Sequence, residues 1–310
     1  MIQSPWGELR VNDSHVHFFS HRMVSMAAAA AGLNGEQAAS KLGWDQPAED
    51  PAELAVQWAK ELDRAGAGRA ALIASVPGDE GSVVCAAARF PGRFVGYMMV
   101  NPLAERACEN AAGVLAGGRM RGLCLFPAMH GYRMRDAPAE AMVAVAAARP
   151  GTVVFVHCGA LSVGFRKALG LDCGFELANS NPLDLHRLAQ RHPSVNFVVP
   201  HFGAGLFREA LMLADLCPNV YFDTSSGNRW MRYEGGHMDL REVFRRSLDV
   251  TGPGRLLFGT DSSWFPRGWH AAIFEAQAKA LYEIGVSAED AERIFGGNFD
   301  NVFGIETPAS

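Results

Sequence analysis

The sequence has six cysteines (Cys85, Cys108, Cys124, Cys158, Cys173 and Cys217), scattered through 310 residues with no Cys-x-x-Cys pair. That spacing excludes a small disulfide scaffold and reads as reduced thiols, mostly in the core. There is no run of Lys or Arg to form a phosphate-binding stripe, and 28 basic residues stand against 33 acidic ones. Nucleic acid is therefore not expected as a partner. No apolar stretch reaches transmembrane length unbroken: the most apolar region, Ala139 to Phe165, is interrupted by Arg149, Pro150 and His157, so no membrane partner is expected. The opening residues MIQSPWGELRVND lack the basic segment and apolar run of a signal peptide, which points to a cytoplasmic location. No Gly-x-Gly-x-x-Gly follows an early strand, which weighs against a dinucleotide-binding domain. Without an internal repeat or a low-complexity linker, residues 1–310 read as a single domain.

What is present is a regular alternation. Short apolar runs bounded by Gly, Pro or Asn predict strands at Glu8–Asp13, Arg69–Val76, Phe94–Val100, Arg121–Phe126, Thr152–His157, Val195–Pro200, Val220–Asp223 and Arg255–Thr260. Such runs are typical of strands buried on both faces of a parallel sheet. Helical segments lie between them. Asp50-Pro51-Ala52-Glu53 opens one with a cap, a first-turn proline and an acidic third residue. Leu54, Trp58 and Leu62 then mark its buried face, and Gly66 closes it. Asn181-Pro182 opens another that ends near His192-Pro193, and Ser287 caps a late one with Asp290 three residues on. About eight strand–helix units predict an α/β fold, a (β/α)8 TIM barrel, with a doubly wound open sheet as the alternative. Residues 18–50, rich in Ala and Met between Met23 and Gly32, predict a helical insertion after strand 1. It either covers the site as a lid or packs on the barrel.

The chemistry-bearing residues sit where strands end. In Asp13-Ser14-His15-Val16-His17 the two histidines share a face, because side chains alternate with a period of two. At the C-terminal end of a barrel strand that face is the active-site face, and two imidazoles there make half of a metal site. His157 closes strand 5, His201 follows strand 6 and Asp261 follows strand 8. Each alone reads equally as a polar residue satisfied at a strand end. Four strands ending in ligand-type residues are harder to assign to chance, since a barrel brings those ends together.

These segments resemble the amidohydrolase superfamily, in its amidohydrolase-related branch of metal-dependent hydrolases and aminocarboxymuconate-semialdehyde decarboxylase-like enzymes. The resemblance rests on DSHVH, FVHCG, RHPSVNFVVPHFGAG, LLFGTDSS and IFGGNFDNVFGI and runs nearly end to end. It implies one divalent metal ion, Zn2+ or else Mn2+, held by His15, His17, His157 and Asp261. It also implies His201 beside the reacting water as acid, base or polarising group, and Asp261 as ligand and general base. A metal lowers the pKa of water from about 15.7 towards about 7, within reach of a nearby carboxylate or imidazole. Relatives with two metals place a Lys at the end of strand 4. Here Arg121-Gly122-Leu123-Cys124-Leu125-Phe126-Pro127 has neither Lys nor His, which implies a single metal and leaves Cys124 as a core thiol. The resemblance further implies a homodimer.

Arg and aromatic residues cluster in the loops after strands 4, 7 and 8: His130, Tyr132 and Arg133; Arg229, Trp230 and Arg232; Trp264, Arg267, Trp269 and His270. Arg can clamp a carboxylate with two parallel bonds, and Trp can form an apolar wall. Arg133, Arg229, Trp264 and Arg267 are thus candidates for binding a small, carboxylate-bearing substrate, and His21, four residues after the His-x-His pair, is another. Loop ion pairs or an oligomer interface would use the same residue types. Asp13 is inward by parity and could orient a ligand as a hydrogen-bond acceptor. The expected function is metal-dependent hydrolysis of an amide, ester or lactone. Non-oxidative decarboxylation of an unsaturated or aromatic acid is the alternative, and a non-catalytic barrel would require a broken ligand set.

Overall fold

A computed structural model describes residues 1–305. Its core is an all-parallel sheet of eight strands in sequence order: β1 (Asn12–Phe18), β2 (Arg69–Ala74), β3 (Phe94–Val100), β4 (Met120–Leu125), β5 (Val153–Val156), β6 (Asn196–Pro200), β7 (Val220–Asp223) and β8 (Leu256–Leu257). The last strand returns to the first. Ser14 N donates to Phe258 O (2.8 Å), His17 N to Ser262 O (2.7 Å) and Asp261 N to His15 O (3.0 Å), and Val16 bridges Ser262. The sheet is a nearly closed barrel, so the doubly wound alternative falls.

Both faces of each strand are buried, for different partners. Ala71, Ile73, Tyr97, Met99, Cys124, Phe155 and Val198 fill the interior. Their neighbours Ala70, Leu72, Met98, Leu123, Val154 and Phe197 pack outward against the helices. This explains why the strands read as unbroken apolar runs. Cys124 is a buried core thiol, as expected. All six cysteines are unpaired, but only three are buried and Cys173 is exposed. The interior is stoppered at the N-terminal end by the closing helix Asn298–Phe303, whose Phe303 ring meets Tyr97 at 5.4 Å.

The helix Pro51–Ala65 forms as its sequence dictates. Asp50 accepts from Ala52 N, Leu54, Trp58 and Leu62 are buried, and Gly66 adopts the left-handed conformation that ends it. Asn181 caps Leu183 N, but the chain runs as a 3-10 turn, Pro182–Leu185, before the helix His186–Arg191 begins. Between β1 and Pro51–Ala65 lie two short helices, His21–Ala30 and Gly35–Leu42.

The first strand departs from expectation. Glu8 belongs to a small antiparallel hairpin, Ile2–Ser4 with Gly7–Leu9, and β1 begins at Asn12, so the two histidines lie within the strand and not past its end. β1 also carries a register shift between Asp13 and Val16. The extra residue resets the period-two alternation, and Asp13 turns to the outer layer, where Trp269 Nε1 donates to it (2.8 Å). Asp13 therefore does not point inward, as period-two parity along β1 would require. β8 is shorter than the expected Arg255–Thr260 because the chain leaves regular geometry to reach Asp261 at φ +59°. No helix of the described residues is long and apolar enough to cross a membrane.

Candidate active site

At the C-terminal rim, β1 supplies His15 and His17, and the loop after β8 supplies Asp261. One ligand-type atom from each lies within 4.8 Å of the others, the one such grouping of His, Cys, Asp or Glu among the described residues. The Nε2 atoms of His15 and His17 are 3.3 Å apart, and Asp261 Oδ1 stands 3.7 Å from the first and 3.4 Å from the second. Two imidazole nitrogens facing each other and a carboxylate across a shared point suit a divalent cation. His157, at the end of β5, stands outside this triplet. Its ring packs on His201 (5.3 Å) and stacks on Phe126 (5.5 Å), and its buried Nδ1 has no hydrogen-bond partner. His201 is the next tier, its ring 5.2 Å from that of His15.

Backbone geometry aims these groups. His201 and Asp261 stand at φ +54° and +59°, a left-handed conformation that costs a residue with a Cβ roughly 1–2 kcal/mol. The barrel holds them there through Asp261 N to His15 O and Ala204 N to His201 O. Gly259 has no room for a side chain: a Cβ there would come within 2.9 Å of both Asp223 Oδ1 and His15 Cβ.

The rings are oriented from behind. Asp223, at the end of β7 and fully buried, accepts a hydrogen bond from His15 Nδ1 at 2.7 Å, which turns Nε2 to face the cavity. Ser75 Oγ does the same for His17 Nδ1 at 2.8 Å. Ser225 Oγ lies between His15 Nδ1 (2.9 Å) and His201 Nδ1 (3.0 Å). Such outer partners fix tautomer and ring orientation at metal sites. None of the three was singled out from sequence. Asp223 had a visible signal, a carboxylate closing a strand like the other site residues, whereas Ser75 and Ser225 had none. Asp13 instead accepts from His15 N, Thr260 N, Thr260 Oγ1 and Trp269 Nε1, pinning the backbone of β1 to the segment after β8. Burial drives its carboxyl up to about 6 despite these donors.

The electrostatics are divided. Burial opposes charge on His15, but Asp223, Asp261 and Asp13 outweigh it and push the imidazole up to about 9. Burial lowers His17, His201 and, most strongly, His157, which also feels the neighbouring histidines. For Asp261, burial is outweighed by the contact with His17 and the fields of His15, His17 and His201, which hold the carboxyl well below its usual range. At neutral pH the site therefore presents a carboxylate and three neutral imidazoles, with one charge retained on His15.

These groups floor a cavity of about 770 Å³. One wall is aromatic: Trp44 stacks on Trp264 (5.3 Å, 15°) and on Phe19 (5.3 Å, 28°), and Phe165 closes against both Trp44 and Phe19. Leu42, Trp44 and Phe19 come from residues 18–50, so that segment contributes directly to the cavity. Arg267 lies 3.6 Å over the Trp264 ring and donates to Asp261 O and Ser263 Oγ (3.0 Å each). Arg267 Nε and His130 Nδ1 are buried without partners, like His157 Nδ1. Three orphaned polar atoms on residues lining one cavity are what a bound ligand or ion would satisfy. Of the residues expected to bind substrate, Trp264 and Arg267 line the cavity, while Arg133, Arg229 and His21 do not. Arg229 is exposed, and His21 begins the helix His21–Ala30, outside the ring of strand ends.

Comparison with known proteins agrees with this architecture. A model of the amidohydrolase family matches residues 12–305. The solved structure of 5-carboxyvanillate decarboxylase from Sphingomonas paucimobilis superposes with a TM-score of 0.65 at 16% identity, over 96% of this chain and 100% of that one. An amidohydrolase from Burkholderia multivorans with bound zinc gives a TM-score of 0.64 at 18% identity, over 96% and 100%. Protein fluG of Emericella nidulans is 36% identical over 95 residues, which is 31% of this chain and 10% of that protein.

Proposed function

The chain belongs to the amidohydrolase family, and from that premise we propose that it is a metal-dependent hydrolase of a small, carboxylate-bearing substrate with an amide, ester or lactone bond. The observation that carries this is the convergence of His15, His17 and Asp261 on one point at the floor of the cavity. These three would hold one divalent cation, Zn2+ or Mn2+, with His157 as the fourth ligand, and the orphaned His157 Nδ1 fits that role. When bound, the metal supplies Lewis acidity, lowering the pKa of a water and polarising an electrophilic oxygen.

The chain's own residues do the rest. Asp223 keeps His15 Nε2 turned to the floor by accepting a hydrogen bond from Nδ1. His201 is buried, neutral and braced at Nδ1 by Ser225, which leaves Nε2 to accept a proton from the attacking water or return it to the leaving group. Asp261 stays ionised and is a second acceptor. Arg267 is tied to Asp261 O and stacked on Trp264, so its remaining N–H groups can orient an anionic substrate group in the cavity. The aromatic wall excludes water around it.

A second reading is non-oxidative decarboxylation of an unsaturated or aromatic acid. It is favoured by the parallel Trp44–Trp264 stack, which suits a planar substrate, and by an arginine beside the reacting centre. Elemental analysis of the purified protein beside His157→Ala tests the shared premise: about one metal per chain, lost in the variant, supports it, and no stoichiometric metal under replete conditions overturns it. Turnover in 18O-labelled water then separates the two. Label in the organic product is expected for hydrolysis, and release of CO2 with an unlabelled organic product would replace it with decarboxylation.

A further inference from the structure

The opposite end of the barrel has a concavity of its own, about 330 Å³, and four arginines line it: Arg69, Arg93, Arg119 and Arg121. Strand register brings them together. Ala70 pairs with Phe94, so Arg69 and Arg93, each one residue earlier, stand level at the starts of β2 and β3. Gly96 pairs with Met120 but Tyr97 pairs with Gly122, so Arg121 is the extra residue of a bulge in β4. A bulge re-aims the side chain it carries. Met120 and Gly122 are buried while Arg121 between them is exposed, its guanidinium delivered to the rim. Arg119 flanks it in the preceding turn.

Two of the four are anchored. Arg69 Nη1 pairs with Asp300 Oδ1 (2.7 Å) and Arg93 Nη1 with Asp63 Oδ1 (2.8 Å). Their stems are braced on carbonyls, Arg69 Nε on Gly92 O (3.3 Å) and Arg93 Nη2 on Ala67 O (3.4 Å). Arg119 and Arg121 make no hydrogen bond or ion pair among the described residues, and no carboxylate among those residues lines the concavity. A chain of net charge −5 has thus gathered four like charges around one hollow and left two of them without a counter-charge among the described residues. Guanidinium forks match phosphate and carboxylate oxygens with paired bonds.

We infer that this hollow at the N-terminal end of the barrel, framed by Arg119 and the bulged Arg121 against the anchored Arg69 and Arg93, is a binding site for a small multiply charged anion, a phosphate ester or a dicarboxylate. It lies at the other end of the barrel from the cavity floored by His15 and Asp261, so it is a second site and does not depend on the reaction proposed above.

The test is equilibrium binding of inorganic phosphate and of succinate to the purified metal-loaded protein, to R119Q/R121Q and to His157→Ala. Saturable binding of at least one anion is expected, weakened by about tenfold or more in R119Q/R121Q and unchanged in His157→Ala. Whichever anion binds more tightly assigns the class. R121K, which keeps the charge but loses the fork, is expected to lose part of the affinity. Equal affinity in wild type and R119Q/R121Q, or no saturable binding of either anion, overturns the proposal. Loss in His157→Ala with retention in R119Q/R121Q also overturns it, by placing the anion at the metal. Arg119 and Arg121 are exposed, so the double variant is expected to melt like the wild type. Should it not, the single R119Q carries the same reading.

Discussion

The two ends of the barrel are built from the same eight strands to opposite ends. At the C-terminal rim the buried side chains are polar: His15, Asp223, Ser225, Thr260 and Ser262 are all at most 1% exposed. They are satisfied mainly by one another, and several non-glycine positions, His201 and Asp261 among them, are held in a backbone conformation unfavourable for their residue type. At the N-terminal end Tyr97, Phe299 and Phe303 pack ring to ring, Phe299 and Phe303 at 4.7 Å, and the buried carboxylate of Asp300 is paired with Arg10 and Arg69. One end contributes stability and the other holds reactive groups in place, a division general to this fold. The rim can carry strained and paired polar groups because the stoppered end and the helical layer supply the packing that fixes them.

If that division holds, substitutions at the two ends should have separable effects. The largest is expected from His157→Ala: loss of stoichiometric metal and of turnover, with little change in melting of the metal-free protein. A metal content equal to wild type would remove His157 from the ligand set. Next, Phe303→Ala should cost about 3–5 kcal/mol of unfolding free energy by leaving a cavity at the stopper. Metal affinity should be unchanged, and denaturant melts beside metal titrations report both. A matching loss of metal affinity would mean that the two ends are coupled. Asp223→Asn should weaken metal binding by about 10–100-fold while leaving the ligands themselves intact, because His15 loses its orienting acceptor. A smaller effect is proton release. His15, pushed up to about 9, holds a proton at pH 8 that the metal must displace from Nε2. About one proton should be released per metal at pH 8, fading as the pH passes 9, measured by calorimetry in buffers of different ionisation enthalpy. The smallest concerns His130, which burial lowers to about 4. Between its ordinary 6.5 and 4 the unfolded chain takes up a proton that the folded one refuses, so stability should fall as pH falls through that window. His130→Gln should flatten this part of the stability profile.

Much of the barrel was legible because a strand buried on both faces must be a short apolar run, and its neighbours must be helices with their own caps. Asp50, Ser287 and Gly66 do what their residue types favour. His15, His17, His201 and Asp261 were legible for a related reason, since strand ends in a closed barrel meet at one rim. Asp223 obeyed the same rule, yet its strand carried no neighbouring histidine to draw attention to it. Asp13 was misread because a single extra residue in β1 inverts the alternation from which its direction was inferred, and nothing in Asp13-Ser14-His15 announces a bulge. Arg121 illustrates the same point at the other end. Trp44 and Phe165 are far apart in sequence and belong to one wall only because residues 18–50 and the loop after β5 pack together over the cavity.

The sequence by itself determined the order of strands and helices, the burial of both strand faces and the identity of the groups at the strand ends, since these follow from local composition and period. Tertiary structure alone decided which rings face one another, which carboxylate orients which imidazole, and that His157 lies outside the close grouping of His15, His17 and Asp261. Those outcomes depend on register, bulges and closure of the last strand on the first, which are properties of pairing between distant segments and leave no mark on either segment alone.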